Sequence, residues 1–215
     1  MWQRFLDLFF PRRSPSGSEG EWVTPEEIRA LVPSPVVRTK EDLAAQGALG
    51  LDRVVAAFAY DDTPLLKPLI RMLKYGRVSG IAEYLARPMV EVSRLLNADG
   101  ATPVIVPVPL HWARRFDRGF NQAEQLARFV THANAWPLRH LLRRQRSTGY
   151  QAHRSRAERL VAMANAFVLR RAAIVPEYVV LVDDLCTTGS TLAACARTLR
   201  EGGVRRVEAL VLAQG

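Results

Sequence analysis

The sequence predicts an α/β fold: a mainly parallel central sheet flanked by helices, preceded by a small N-terminal extension. Three features point to it. Short apolar runs recur at 54–60, 103–109, 178–182 and 207–213. Helix-period patterns fall between them, as the crossovers of parallel strands require. The run Tyr178-Val179-Val180-Leu181-Val182 then feeds, through two acids and a turn of hydroxyls, into the helical stretch Leu192-Ala193-Ala194-Cys195-Ala196-Arg197-Thr198-Leu199-Arg200. A strand, a loop at its carboxyl end and a helix start make up the ligand-binding edge of open α/β sheets.

From the N-terminus, Trp2, Phe5, Leu6 and Phe9 fall at helical spacing. This predicts a stripe packed on its own domain in preference to a membrane-surface or partner helix. Residues 11–20 are rich in Arg, Ser, Pro and Gly and read as a loop. Thr24-Pro25-Glu26-Glu27 supplies a cap, a proline at the first helical position and acids in the first turn, so a helix starts there. Pro33 and Pro35 end it. Residues 39–51 show no clear period. The strand at 54–60 is followed by a helix opened by Thr63-Pro64, with Leu65, Leu66, Leu69, Ile70, Met72 and Leu73 on its apolar face and Gly76 as its C-cap. A second helix pattern covers 81–96, adjusted at Pro88. The strand at 103–109 must end near Pro107, because proline cannot donate to a ladder. A helix at 122–130 follows, and the chain closes with a strand at 207–213. No internal repeat is visible.

The stretch Asp183-Asp184-Leu185-Cys186-Thr187-Thr188-Gly189-Ser190-Thr191 carries the chemistry. Thr187, Thr188, Ser190 and Thr191 each offer a hydroxyl. Gly189 lets the backbone approach a ligand and take an unusual φ. The free N–H groups of the following helix make a phosphate seat. Asp183 and Asp184 would repel a phosphate, but they accept hydrogen bonds from sugar hydroxyls or hold Mg²⁺ directly or through water. The loop therefore suits a ribose 5-phosphate. Ordinary capping accounts for any one of these residues, but not for the whole string. No Gly-Lys-Ser/Thr and no Gly-x-Gly-x-x-Gly occurs in the chain.

Two basic segments could meet further anionic groups. Arg114, Arg115, Arg118 and Gly119 lie between the strand at 103–109 and the helix at 122–130. They read as a second anion site, or as a solvated basic turn. Residues 141–159 hold Arg143, Arg144, Arg146, Arg154, Arg156 and Arg159 with Gln151 and Tyr150 among them. Few apolar residues anchor this segment, which predicts a mobile loop. It could close over an anionic substrate, follow a nucleic-acid backbone with Tyr150 stacked on a base, or simply be solvated.

The 215 residues suffice for one α/β domain with a sizeable core. The formal charge is +9, and lysine occurs only at Lys40, Lys67 and Lys74, so arginine supplies the rest of the 30 basic residues. That balance suits anionic partners such as a sugar pyrophosphate or a nucleic-acid backbone. Cys186 and Cys195 form no Cys-x-x-Cys, which argues against a disulfide framework and a thiolate metal site. No apolar stretch reaches the length of a membrane span. The N-terminal apolar stretch, interrupted by Arg4 and Asp7, is too short and charged for a signal-peptide core, so a cytoplasmic protein is expected.

Residues 180–191 resemble the signature loop of type I phosphoribosyltransferases, which bind 5-phosphoribosyl-1-pyrophosphate (PRPP). The resemblance narrows with Pro107-Val108-Pro109-Leu110, Arg118-Gly119-Phe120-Asn121-Gln122-Ala123, Gln151, and Arg159 through Asn165 to Phe167. In this order, and with Leu73-Lys74-Tyr75-Gly76 upstream, they are similar to the ComF/GntX-type members of that family. The resemblance implies an N-terminal extension or hood over residues 1–53 and a phosphoribosyltransferase domain over 54–215. It implies that Asp183 and Asp184 hold the ribose, with Mg²⁺ near them as cofactor. It gives the 5-phosphate to Leu185, Cys186, Thr187, Thr188, Gly189, Ser190 and Thr191. It gives the pyrophosphate to Val108, Pro109, Arg115, Arg118 and Gly119, and the mobile basic loop to Arg146, Gln151, Arg154 and Arg159. Lys74, Asn121 and Gln122 are further site residues on the same basis. An enzyme transferring the phosphoribosyl group to an acceptor is implied, with a link to natural competence, to single-stranded DNA and to competence-machinery proteins. Many members carry a four-cysteine zinc module after an apolar N-terminal helix. Here Phe9-Phe10-Pro11 is followed by Ser14-Pro15-Ser16-Gly17, without Cys or His, and no structural zinc is expected.

Overall fold

Strands β1 (Val36–Thr39), β2 (Arg53–Ala59), β3 (Val104–Pro107), β6 (Tyr178–Cys186) and β7 (Arg206–Gln214) form one sheet in the order β1-β2-β7-β6-β3. In this computed structural model the described residues are 13–75, 80–96, 100–110, 120–145, 166–170 and 174–215. The N-terminal apolar stripe, Gly76, Arg115, Arg118, Gly119, Arg146, Gln151, Arg154 and Arg159 lie outside them. β2, β7, β6 and β3 run parallel, and β1 pairs antiparallel with β2 at one edge. The result is the α/β architecture with a mainly parallel sheet that the alternation of patterns predicts.

Alternating residues of the parallel strands feed two apolar layers. Val55, Val180, Val182, Leu210 and Leu212 belong to the first. It is closed by α3 (Leu66–Tyr75), α4 (Ile81–Ser93) and α5 (Gln122–Asn134), through residues such as Leu69, Leu73, Leu85 and Leu126. Val54, Ala56, Val179, Leu181, Ala209 and Val211 belong to the second. There Leu192, Cys195 and Leu199 of α6 (Ser190–Glu201) pack with Leu43 and Leu51.

Local chemistry sets the element limits. α3 begins at Leu66, later than Thr63-Pro64 predicts, because a turn comes first: Leu66 N–H donates to Thr63 O at 2.9 Å. Pro68 then falls in the first helical turn, where its missing N–H costs little. α4 runs through the buried Pro88 and tightens into a 3₁₀ turn at Arg94–Leu96. β3 stops at Pro107, as the proline requires. Residues 39–51, which show no period, contain α2 (Lys40–Ala45), started by a capping box between Thr39 and Asp42.

The segment before β2 is fastened to the sheet and to α6. In α1 (Pro25–Ala30) Thr24 and Glu27 cap each other, and Glu27 Oε1 also accepts from Ser16 N–H at 2.7 Å. Asp52 pairs with Arg200 of α6 and accepts from Val207 N–H at 2.8 Å. Gly50 O accepts from Arg200 Nε at 3.1 Å.

The amino ends of the strands meet at a buried polar cluster. Glu208 is 3 % exposed and lies 3.1 Å from both Arg53 Nη2 and Arg206 Nη2. The Tyr178 hydroxyl lies 2.7 Å from Glu208 Oε2 and 2.7 Å from Leu96 O. Burial and the neighbouring carboxylate push the Tyr178 phenol well up.

A second small sheet pairs β4 (Leu142–Arg144) with β5 (Phe167–Leu169) antiparallel. This corrects the expectation of a poorly anchored loop from residue 141 onward. Leu141 and Leu142 are buried, and the Arg144 guanidinium lies 5.3 Å from the centre of the Phe167 ring.

Candidate functional site

Parallel strands bring their carboxyl ends to one edge of the sheet, and the expected site residues that the structure describes gather there. β6 continues past Val182, so Asp183, Asp184, Leu185 and Cys186 belong to the strand and not to the loop after it. Asp183 pairs with Val211, Leu185 with Ala213 and Cys186 with Gln214 of β7. Backbone pairing with β7 holds these residues extended whatever their side chains. Successive strand residues start on opposite faces, yet the two carboxyl groups stay close enough for the charge of Asp184 to act on Asp183.

Asp184 is only 8 % exposed, and its Oδ2 lies 2.6 Å from Nζ of Lys74 in the last turn of α3. Asp183 is half-buried and its Oδ1 accepts from the Asp184 backbone N–H at 2.9 Å. Desolvation, and then the charge of Asp184, hold the Asp183 carboxyl well above the usual carboxylate range. The Asp184 N–H and Lys74 pull it the other way.

The turn after β6 is Thr187-Thr188-Gly189, with the two threonines exposed. Gly189 has φ 69°, and a Cβ there would meet Ala48 Cβ at 3.0 Å, so both backbone and space demand glycine. Gly189 occupies the N-cap of α6 and provides no side-chain cap. The first helical bond recorded there is Ala193 N–H to Gly189 O at 2.8 Å. The N–H groups of Ser190, Thr191 and Leu192 are the orphan donors of a helix start, and they carry the positive end of its dipole. Thr188 Oγ1 donates to Ser190 Oγ at 3.1 Å beside them.

Cys186 is buried under this turn. Burial first, and then the charge of Asp183, push its thiol up to about 11, away from the reactive thiolate. Gly215 N–H donates to Cys186 O at 3.0 Å, which sets the end of the sequence beside Thr187.

On the other flank of β6, Val108 N–H donates to Val182 O at 2.9 Å, so the chain leaves β3 alongside Asp183. Asn121, at the N-cap of α5, donates from Nδ2 to Val108 O at 3.0 Å and leaves that helix start without a side-chain cap. Gln122 is 2 % exposed, and its amide nitrogen has no hydrogen-bond partner among the described residues. Val108, Pro109, Asn121 and Gln122 thus stand at one flank. The arginines expected to join them, Arg115 and Arg118, lie outside the described residues.

Lys74 is a site residue that the resemblance implies through Leu73-Lys74-Tyr75-Gly76. Its contact with Asp184, over a hundred residues further on, is what sequence spacing alone does not give.

Among the described residues no group of three or more His, Cys, Asp and Glu side chains could hold a metal ion by itself. Each acid has one oxygen engaged, by Lys74 or by a backbone N–H. Mg²⁺ keeps several waters and is commonly held by one or two carboxylates together with substrate phosphates. The residues therefore fit an ion that arrives on a ligand's phosphates, and Asp183 and Asp184 would support it. No helix among the described residues is long and apolar enough to cross a membrane.

The chain is similar to DNA utilization protein YhgH of Salmonella typhi, 36% identical over 153 residues, covering 69% of this chain and 66% of that protein. Competence protein F of Haemophilus influenzae is 37% identical over 158 residues, covering 69% of this chain and 68% of that protein. Competence protein ComFC of Bacillus subtilis is 36% identical over 100 residues, covering 46% of this chain and 39% of that protein. The match thus spans just under two thirds of the Salmonella relative's length. No family model matches the chain.

Proposed function

The chain belongs to the ComF family, and on that footing we propose that it binds PRPP with Mg²⁺ and transfers the phosphoribosyl group to an acceptor. One observation carries the reading: the uncapped start of α6 follows, after a three-residue turn, a strand that bears two adjacent carboxylates near its carboxyl end. A helix start with free N–H groups accepts a phosphate, and carboxylates accept from a diol. Ribose 5-phosphate offers both on one rigid ring.

In this reading the amides of Ser190, Thr191 and Leu192 and the hydroxyls of Thr187 and Thr188 take the 5-phosphate. Asp183 and Asp184 take the 2′ and 3′ hydroxyls and stabilise positive charge as it develops at C1. Val108, Pro109, Asn121 and Gln122 frame the side from which pyrophosphate departs, with Arg115, Arg118 and Gly119 as its anion ligands. Arg146, Gln151, Arg154 and Arg159 close over the bound substrate. Bound Mg²⁺ neutralises charge on the pyrophosphate.

Calorimetric titration with PRPP and Mg²⁺ tests this. The wild type binds, and the double variant Asp183→Asn/Asp184→Asn loses at least about tenfold in affinity, the value of one charge-assisted hydrogen bond. Equal heats from both proteins would overturn the assignment.

The relatives' names, which speak of DNA utilization and of competence, favour a second reading for the same chain, the handling of DNA, for which single-stranded DNA is the proposed form. A formal charge of +9 supports it. The two readings can hold for one chain, because the PRPP reading uses only a few of its 30 lysines and arginines.

A further inference from the structure

We infer that Lys74 is the acidic pair's own counter-cation and a positioning residue for the sugar, so that the ribose 5-phosphate end of the ligand is held without a divalent ion. The inference rests on the reading that this edge takes a phosphorylated ribose, and it goes further by giving Asp184 its positive charge from Lys74, so that an ion's direct ligands are the phosphates it arrives on.

The side chains of Lys74 and Asp184 are 23% and 12% exposed, and their charged atoms stand 2.6 Å apart. A carboxylate so far out of water needs a partner, since an unpaired buried charge is strongly destabilising. The other carboxylate of the pair cannot serve. It supplies no positive charge in either protonation state, and its Oδ1 accepts from the Asp184 backbone N–H. Lys74 therefore supplies the positive charge that would otherwise have to come from an ion at Asp184.

Residue type and position sharpen the point. Basic positions in this chain are arginine except at Lys40, Lys67 and Lys74. Of these, Lys67 pairs with Asp61 through side chains that are 53% and 79% exposed, a surface contact. The Lys74 pair is the buried one. An ammonium is a compact point charge with three donors, so it can hold Asp184 and still donate to a sugar hydroxyl, whereas a guanidinium is a planar fork. The last turn of α3 also favours a cation there.

With the ammonium at 2.6 Å, an ion entering directly at Asp184 Oδ2 would meet like charge. A Lys–Asp pair instead presents a donor beside an acceptor, which matches a vicinal diol. Lys74 then fixes Asp184 for the ribose before any metal arrives.

The experiment is calorimetric titration of the full chain with ribose 5-phosphate, which carries no pyrophosphate, in chelator and again in excess Mg²⁺. Wild type and Lys74→Met are compared, with PRPP and Mg²⁺ as the reference ligand. Wild type is expected to bind ribose 5-phosphate equally in both buffers. Lys74→Met is expected to bind about tenfold more weakly in chelator and to regain affinity in Mg²⁺, because the vacated carboxylate now admits the ion. A tenfold gain of the wild type on adding Mg²⁺ would overturn the inference while leaving PRPP binding intact, and this arm needs no variant to fold. Wild-type affinity of Lys74→Met in chelator would overturn it too. Failure of the wild type to bind either ligand would overturn the underlying reading together with it.

Discussion

Asp183 shows a carboxyl group held at a cost to the protein's stability. Burial and the charge of Asp184 raise its carboxyl above its ordinary value of 3.8. A group whose folded pKa is raised contributes its stability below the unfolded value and loses it as pH climbs toward the folded one. Asparagine keeps the shape, can still accept from the Asp184 N–H, and does not titrate. Asp183→Asn is therefore expected to melt higher than wild type at neutral pH by a few degrees, where about 1 kcal/mol equals roughly 2–4 °C at this size. The gap closes as pH falls toward 3.8. Calorimetric melting from pH 4 to 8 measures it, and a constant or reversed gap contradicts the assignment. Active sites commonly give up stability in this way. Of these residues, the acids, Gly189 and the hydroxyls were legible because their order is unusual. The Lys74 contact was not, since it depends on how α3 packs over the sheet.

Among the elements, those with long β-branched runs or a full amphipathic period were legible: β2, β7, α4, α5 and α6 match their patterns closely. β1 was missed because a four-residue edge strand has too little alternation to read. β4 and β5, three residues each, exist through pairing with each other across a long separation. β6 outran its apolar pattern for a related reason, since its last residues are held by ladder bonds to β7. α1 shows the opposite case, a short helix announced by its cap. Glu27 is 7 % exposed, and burial alone would raise its carboxyl. Bonds from the Thr24 and Ser16 N–H groups outweigh burial and lower it below its ordinary 4.5. A lowered pKa contributes stability above the unfolded value, and that stability is lost as pH falls through the folded one. Glu27→Gln is expected to cost about 1 kcal/mol at neutral pH. The cost disappears below the folded pKa, and urea midpoints from pH 7 to 3 follow the change.

For the whole molecule, charge and topology divide the labour. The carboxyl edge holds the candidate site, while the amino edge is pinned by Glu208 between Arg53, Arg206 and Tyr178. The formal charge of +9 makes a salt test decisive for the DNA reading. Affinity for a labelled single-stranded oligonucleotide is expected to fall with salt, with a log–log slope of about −0.7 for each phosphate contacted. Fluorescence anisotropy measures the slope, and absent or salt-insensitive binding removes that reading without touching PRPP. The fold class and the family were legible from the order of runs and motifs, because a parallel sheet leaves a repeating apolar signature. The attachment of the first segment to α6 through Asp52 and Arg200 was not, since it joins residues 148 apart. The bond from Gly215 to Cys186 has a practical bearing on every experiment above. An affinity handle fused at Gly215 would start beside Thr187, in the turn proposed for the 5-phosphate. Fusions for the titrations belong elsewhere on the molecule.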